Sequence, residues 1–315
     1  MIRPIVLATD GSVFAAEATF EAFHLARALD APLVAISVAS IAFPPYAYAG
    51  NPEAIAALLV AESDRVAAVL TEVSEAAVAA GIQCTAIGLQ GSVATQIRET
   101  AGARQARLIV VGAHGWGPVS RVIHGSVAQD LAENAPCPLL VVRPSPPEDH
   151  EGGAMKPILL ATDGSPCAEG ATLEAIELAR AFGATLVVAS VAHLVLPGYG
   201  GYYGYGEIAD DLYKVETEHV AEVLATTRAR IEEAGVSCET VALDGPASDE
   251  ICRAAAEHQA RLVVIGAHGW GRFGRIMHGS VSTAVLHDAP CPVLVVHGAD
   301  EVTVAQPERE TEVTH

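Results

Sequence analysis

The chain of 315 residues is 51% hydrophobic and only 18% charged, which suits two compact units of about 150 residues and excludes a disordered chain. Its 38 acidic residues against 18 basic ones give a formal charge of −20, which repels polyphosphate backbones and excludes nucleic acid as a partner. No apolar run reaches the roughly 18 residues needed to span a bilayer, and the opening MIRPIVLATD lacks a charged leader followed by a long apolar stretch, so a cytoplasmic protein with no membrane partner is expected.

In chain order, Ile5–Ala8 and 33–38 are short apolar runs, as strands buried on both faces of a parallel sheet require. Between them Phe20, Phe23 and Arg27 follow helical spacing behind Ser12, a residue type that caps helices. Val66, Val69, Leu70, Val73 and Ala77 form one apolar stripe of a second helix, matched later by Val220, Val223, Leu224 and Ile231. Residues 84–89 alternate as a third strand, 93–101 form a helix, 108–111 a fourth strand, 126–134 a last helix and 139–142 a fifth strand. Five strands alternating with four helices predict a doubly wound, five-stranded parallel sheet between two helix layers.

The whole pattern occurs twice. IRPIVLATDGS at residues 2–12 recurs as MKPILLATDGS at 155–165, GAHGWG at 112–117 recurs unchanged at 266–271, and HGSV and APCP recur likewise. Asp163 follows Asp10 by 153 positions and Gly266 follows Gly112 by 154, so one residue is inserted between Val191 and Gly235. That interval holds the most divergent stretch, including the tyrosine-rich PGYGGYYGYG of copy two. The expected division is a domain at 1–143, a linker at 144–154 (PSPPEDHEGGA), a second domain at 155–297 and a polar tail at 298–315. The six cysteines lack metal-ligand spacing, and Cys84, Cys137 and Cys238 lie in apolar or strand-like runs, so reduced, buried thiols are expected.

In an open parallel sheet the ligand crevice lies beyond the carboxyl ends of the strands, where the winding reverses. Asp10-Gly11-Ser12 and Gly112-Ala113-His114-Gly115 fall there, as do Asp163-Gly164-Ser165 and Gly266-Ala267-His268-Gly269 in copy two. Glycines admit phosphate close to backbone amides, and Gly125-Ser126 and Gly279-Ser280 open helices whose first amides are unpaired. A glycine turn also serves strand-to-helix geometry alone, and the serines after Asp-Gly are explained by capping. No G-x-S-x-G elbow or Walker loop is present, which argues against nucleophilic catalysis and vigorous ATP hydrolysis.

The spacing G-x2-G-x9-G-S, present in both copies, resembles the ATP-binding signature of the universal stress protein family, as do ATDGS and APCPLLVV. The resemblance spans nearly all of both copies and implies an adenine-nucleotide alpha hydrolase-like fold, with ATP as ligand, with or without magnesium. It implies that Asp10 and Asp163 contact the adenosine and that Val38 and Val191 meet adenine through their backbone. Gly112, Gly115, Gly125 and Ser126, with Gly266, Gly269, Gly279 and Ser280, then hold the phosphates, and His114, Arg121, Val127, His268, Arg275 and Val281 belong to the same nucleotide-binding set.

Where relatives often carry a basic residue after the second glycine, this chain has Trp116 and Trp270, leaving Arg121 and Arg275 to supply the charge. Arg272, aligned with Pro118, makes copy two the more basic phosphate site. His114, His124, His268 and His278 suit hydrogen bonding in loops better than metal ligation, which wants three or four ligands per site. The family resemblance further implies a non-enzymatic, nucleotide-responsive regulator working through a protein partner, with the two final strands paired as a pseudo-dimer inside one chain and a further homodimer open. The alternatives are an empty structural pair and a slow ATPase or histidine-assisted metal-binding protein.

Overall fold

The computed structural model describes residues 2–40, 52–113, 126–143, 156–192, 206–267 and 280–297. The linker expected at 144–154, the tail at 298–315 and the tyrosines of 199–205 lie outside them.

The first copy runs β1 (Ile5–Ala8), α1 (Val13–Ala28), β2 (Leu33–Ala39), α2 (Pro52–Ala79), β3 (Cys84–Gln90), α3 (Val93–Ala103), β4 (Leu108–Gly112), α4 (Ser126–Asn134) and β5 (Leu139–Val142). The second runs β6 (Ile158–Ala161), α5 (Pro166–Phe182), β7 (Leu186–Ala192), α6 (Gly206–Glu233), β8 (Cys238–Asp244), α7 (Ala247–Glu257), β9 (Leu262–Gly266), α8 (Ser280–Asp288) and β10 (Val293–Val296). Each copy is a five-stranded parallel sheet, and the strand order β3-β2-β1-β4-β5-β10-β9-β6-β7-β8 makes the two one ten-stranded sheet. The α/β doubly wound fold is therefore present twice, with the halves joined edge to edge.

Strand pleating assigns residues to alternate faces. Ile5, Leu7, Leu33 and Ala35 meet Ala18, Ala22 and Leu25 of α1 and Val66, Leu70, Val73 and Ala77 of α2 in one cluster. Val6, Val34, Ile36 and Ile109 meet Ile97 and Ala101 of α3 and Ala128 and Leu131 of α4 on the other face. Both clusters continue into copy two, the first through Leu140, Val142, Leu294 and Val296, the second through Leu139, Val141, Val293 and Val295.

The seam between the copies is antiparallel: Val141 faces Val293, Leu140 faces Leu294 and Leu139 faces Val295. Polar contacts around it come in reciprocal sets. Arg107 reaches Glu174 at 3.4 Å and Glu177 at 2.6 Å, while its counterpart Arg261 reaches Glu21 at 2.7 Å and lies 4.2 Å over the Phe182 ring. Arg143 donates to the Leu286 and His287 carbonyls that end α8, and His297 Nε2 donates at 2.9 Å to the Ala132 carbonyl near the end of α4. The Arg143 guanidinium at the carboxyl end of α8 is favoured by the helix dipole.

The expectation of buried thiols holds for Cys137 and Cys291 and is corrected for Cys167 and Cys252, half-buried on α5 and α7, and for the two strand cysteines Cys84 and Cys238, which are half-buried as well. For the strand pair the reason is position: they begin β3 and β8, the two edges of the sheet, where one flank has no neighbouring strand.

Candidate functional site

In each copy the winding reverses at the first strand: β1 lies between β2 and β4, and β6 between β7 and β9, all parallel. Ala8 faces Ile36 and Leu7 faces Val110, so continuing that register brings Asp10 level with Val38 and beside the end of β4 at Gly112. Asp163, Val191 and Gly266 fall in the same relation.

The turn after β1 is built from its own polar groups. Asp10 Oδ1 accepts from the Ser12 amide at 2.9 Å, Thr9 Oγ1 accepts from the Gly11 amide at 3.4 Å, and Ser12 Oγ accepts from the Ala15 amide at 3.2 Å, capping α1. Copy two repeats the set with Asp163 and Ser165 at 3.0 Å, Thr162 and Gly164 at 3.2 Å, and Ser165 and Ala168 at 3.2 Å. Gly11 and Gly164 have φ of +78° and +74°, a region that favours glycine. A Cβ on either would also strike Val69 or Val223, at 2.7 Å and 2.9 Å. The turn thus fixes a half-buried carboxylate at the mouth of the crevice, ahead of the positive end of α1 or α5.

The end of β4 has a different reason for its glycine. A Cβ on Gly112 would lie 2.8 Å from the Phe14 carbonyl oxygen, and one on Gly266 would lie 3.0 Å from the Cys167 carbonyl carbon. These glycines let the first turn of α1 or α5 pack directly on the strand. Beyond them, Ala267 O accepts from Ser282 Oγ at 2.9 Å; the corresponding residue of copy one is Ala128.

Ser126 and Ser280 open α4 and α8. Val127, Val191 and Val281 are half-buried against the second core cluster, and Val38 is buried. His114, Gly115, Arg121 and Gly125, with His268, Gly269, Arg275 and Gly279, lie outside the described residues, as do His124, His278, Trp116, Trp270, Pro118 and Arg272. Among the described residues no group of three or more His, Cys, Asp or Glu is placed to hold a metal ion.

The structure adds two residues that sequence reasoning passed over. Arg65 Nη1 donates to the Asp10 carbonyl at 2.8 Å, while its Nε and Nη2 hold Glu62 at 3.0 and 2.7 Å. The Arg65 hydrogen bond holds the Glu62 carboxyl below its usual range, with a further hydrogen bond from the Ser40 backbone after β2. The signal available in the sequence was the repeat itself, since the position aligned with Arg65 is His219.

Residues 1–143 and 155–297 each match the universal stress protein family. The chain belongs to the universal stress protein family. It is 34% identical over 202 residues to universal stress proteins of Mycobacterium tuberculosis and Mycobacterium bovis, covering 61% of this chain and 62% of those relatives. The match therefore spans about three-fifths of the length of these relatives. A universal stress protein of Methanocaldococcus jannaschii is 36% identical over 145 residues, 45% of this chain and 81% of that one. The crystal structure of an Archaeoglobus fulgidus universal stress protein superposes with a TM-score of 0.65 at 18% identity, covering 93% of this chain and 98% of the other. That likeness shows the doubly wound α/β fold and no more. No helix among the described residues is long and apolar enough to cross a membrane.

Proposed function

We propose that this universal stress protein binds ATP, with or without magnesium, in the crevices of both copies, and acts as a nucleotide-responsive regulator rather than an enzyme. One observation carries the reading: the chain builds the same arrangement twice, an Asp-Gly-Ser turn at the exit of the first strand, level with Val38 or Val191 and beside the end of β4 or β9. A carboxylate there suits ribose hydroxyls or an adenine amino group and disfavours phosphate, which places the nucleoside at Asp10 and Asp163. The phosphates then run toward the glycine-rich segments and the amides that open α4 and α8.

The domains of this regulator are residues 1–143 and 155–297, and the paired final strands make one polypeptide act as a dimer. Its output passes through an unidentified protein partner in the stress response. Six free cysteines suit the reducing cytoplasm.

Thermal unfolding with millimolar ATP tests the reading. Ligand that binds only the folded chain raises the melting temperature by mass action. Asp10→Ala with Asp163→Ala should abolish the shift, read against the variant's own ligand-free melting temperature, which the lost hydrogen bonds to the Ser12 and Ser165 amides should lower. A parent chain whose melting temperature ignores ATP contradicts the proposal.

A further inference from the structure

Among the described residues packed on the Asp-Gly-Ser turns, one charged position differs between the copies. α2 packs on the Asp10 turn through two positions on one helix face, four residues apart: Val69, whose Cγ2 would lie 2.7 Å from a Cβ on Gly11, and Arg65, whose Nη1 reaches the Asp10 carbonyl at 2.8 Å. α6 repeats the apolar contact through Val223, which would lie 2.9 Å from a Cβ on Gly164. Four residues earlier it carries His219, which is exposed. The apolar half of the helix-to-turn contact is common to both copies, and the guanidinium belongs to copy one alone.

The guanidinium is itself fixed. Glu62, one turn before Arg65, takes its Nε and Nη2 at 3.0 and 2.7 Å, a two-pronged geometry that holds the plane of the group. Glu62 also takes a hydrogen bond from the Ser40 backbone. Residues on α2 therefore tie the exit of β1 to the exit of β2, the two chain segments between which a nucleoside would lie. The Asp10 carboxylate is close enough to Arg65 to add to its electrostatic stabilisation.

We infer that Arg65 is a positioning residue for the nucleoside end of the first site, holding the Asp10 turn in its binding conformation, and that the second site, with His219 in its place, lacks this clamp. The inference rests on the reading of the crevice as a nucleotide site. A preformed turn spares the ligand the cost of ordering it, so the gain appears as affinity. Because Arg65 acts through Asp10, the gain belongs to the nucleoside and is the same for ATP and AMP. Glu216 stands where Glu62 stands in copy one, so His219→Arg alone restores both members of the pair.

Calorimetric titration of the full chain with ATP and with AMP tests this, one site being silenced at a time. In an Asp163→Ala background, Arg65→His should weaken both nucleotides by the same factor of about ten, equivalent to about 1.4 kcal/mol. In an Asp10→Ala background, His219→Arg should strengthen both by a similar factor. This gain cannot arise from damage to folding, and circular dichroism checks the Arg65→His chain. Unchanged affinities in both backgrounds overturn the inference while leaving the nucleotide reading standing. A loss confined to ATP overturns it too, because Arg65 would then be serving the outer phosphates. If neither background binds either nucleotide, the site reading fails and the inference falls with it.

Discussion

Leu140 of β5 lies directly opposite Leu294 of β10, and each is the other's counterpart in the repeat. The flanking pairs, Val141 with Val293 and Leu139 with Val295, are exchanged by the same symmetry, so the seam is an isologous interface carried within one chain. Every side chain in these pairs is buried. Cutting the chain within residues 144–154 should leave the halves associated on size exclusion. Leu140→Asp, which buries an unpaired carboxylate at the centre of the seam, should separate or unfold them. Nicked parent halves that elute as stable monomers would refute this account of the seam.

Arg107, a cation beside that seam, is bound by Glu174 and Glu177 of the opposite copy. Arg107→Ala should cost about 1.5–3 kcal/mol at neutral pH, the range for hydrogen bonds to charged groups. The hydrogen bond from Arg107 holds the Glu177 carboxyl below its usual range, whereas burial pushes that of Glu174 up. A depressed carboxyl gives stability that is present above its unfolded value and lost as pH falls through its folded value; a raised one works in the opposite sense. Whatever the sign of the shift, protonating either carboxylate removes a charged partner of Arg107, Glu174 at higher pH than Glu177, so the role of Arg107 weakens in acid. The difference between parent and Arg107→Ala, measured by urea unfolding, should shrink from pH 7 toward pH ~4. A difference that does not change with pH would show that Arg107 acts through packing alone.

Gly112 offers a test that separates packing from ligand contact. A Cβ there would press on the Phe14 backbone at 2.8 to 2.9 Å, which no rotamer change relieves. Gly112→Ala should cost about 1–3 kcal/mol, as overpacking does, with no ligand present. Gly81→Ala, at a position with no atom within 4 Å and φ of +71°, isolates the cost of positive φ alone and should cost less. Equal costs for the two would remove the steric explanation.

The thiols provide a check on burial. Desolvation pushes Cys137 and Cys291 up to about 12, and Cys252, half-buried on α7, up to about 11. At pH 8 the thiolate fraction of Cys137 and Cys291 is then on the order of one in ten thousand. Native labelling with a maleimide should spare these two, and denaturant should expose all six cysteines. Rapid native labelling of Cys137 would mean that the second core cluster opens around it.

Local pattern made much of this fold legible. The apolar runs at residues 5–8, 33–38 and 108–111 match strands to within a residue or so, because strands buried on both faces cannot carry charge. Ser12 caps α1 because its hydroxyl reaches the Ala15 amide. What escaped depends on how distant segments meet. Arg65 and Glu62 read as an ordinary solvated pair three residues apart until α2 is laid across the Asp10 carbonyl. Arg107 and Glu174 are 67 positions apart and meet only when the copies dock. Cys84 and Cys238 sit in strand-like runs, and only the strand order reveals that those strands are edges. Of the site, the Asp-Gly-Ser turns and the ends of β4 and β9 were visible in the repeat, whereas the packing need for Gly112 and Gly266 was not.

The central claim is that the duplicated crevice is a duplicated nucleotide site. Native mass spectrometry of the intact chain with ATP counts bound ligands directly. Two ATP per parent chain, one per chain for Asp10→Ala or Asp163→Ala alone, and none for the double variant are the expected result. A parent chain that stays ligand-free at millimolar ATP, or a folded double variant that still binds two, would contradict it.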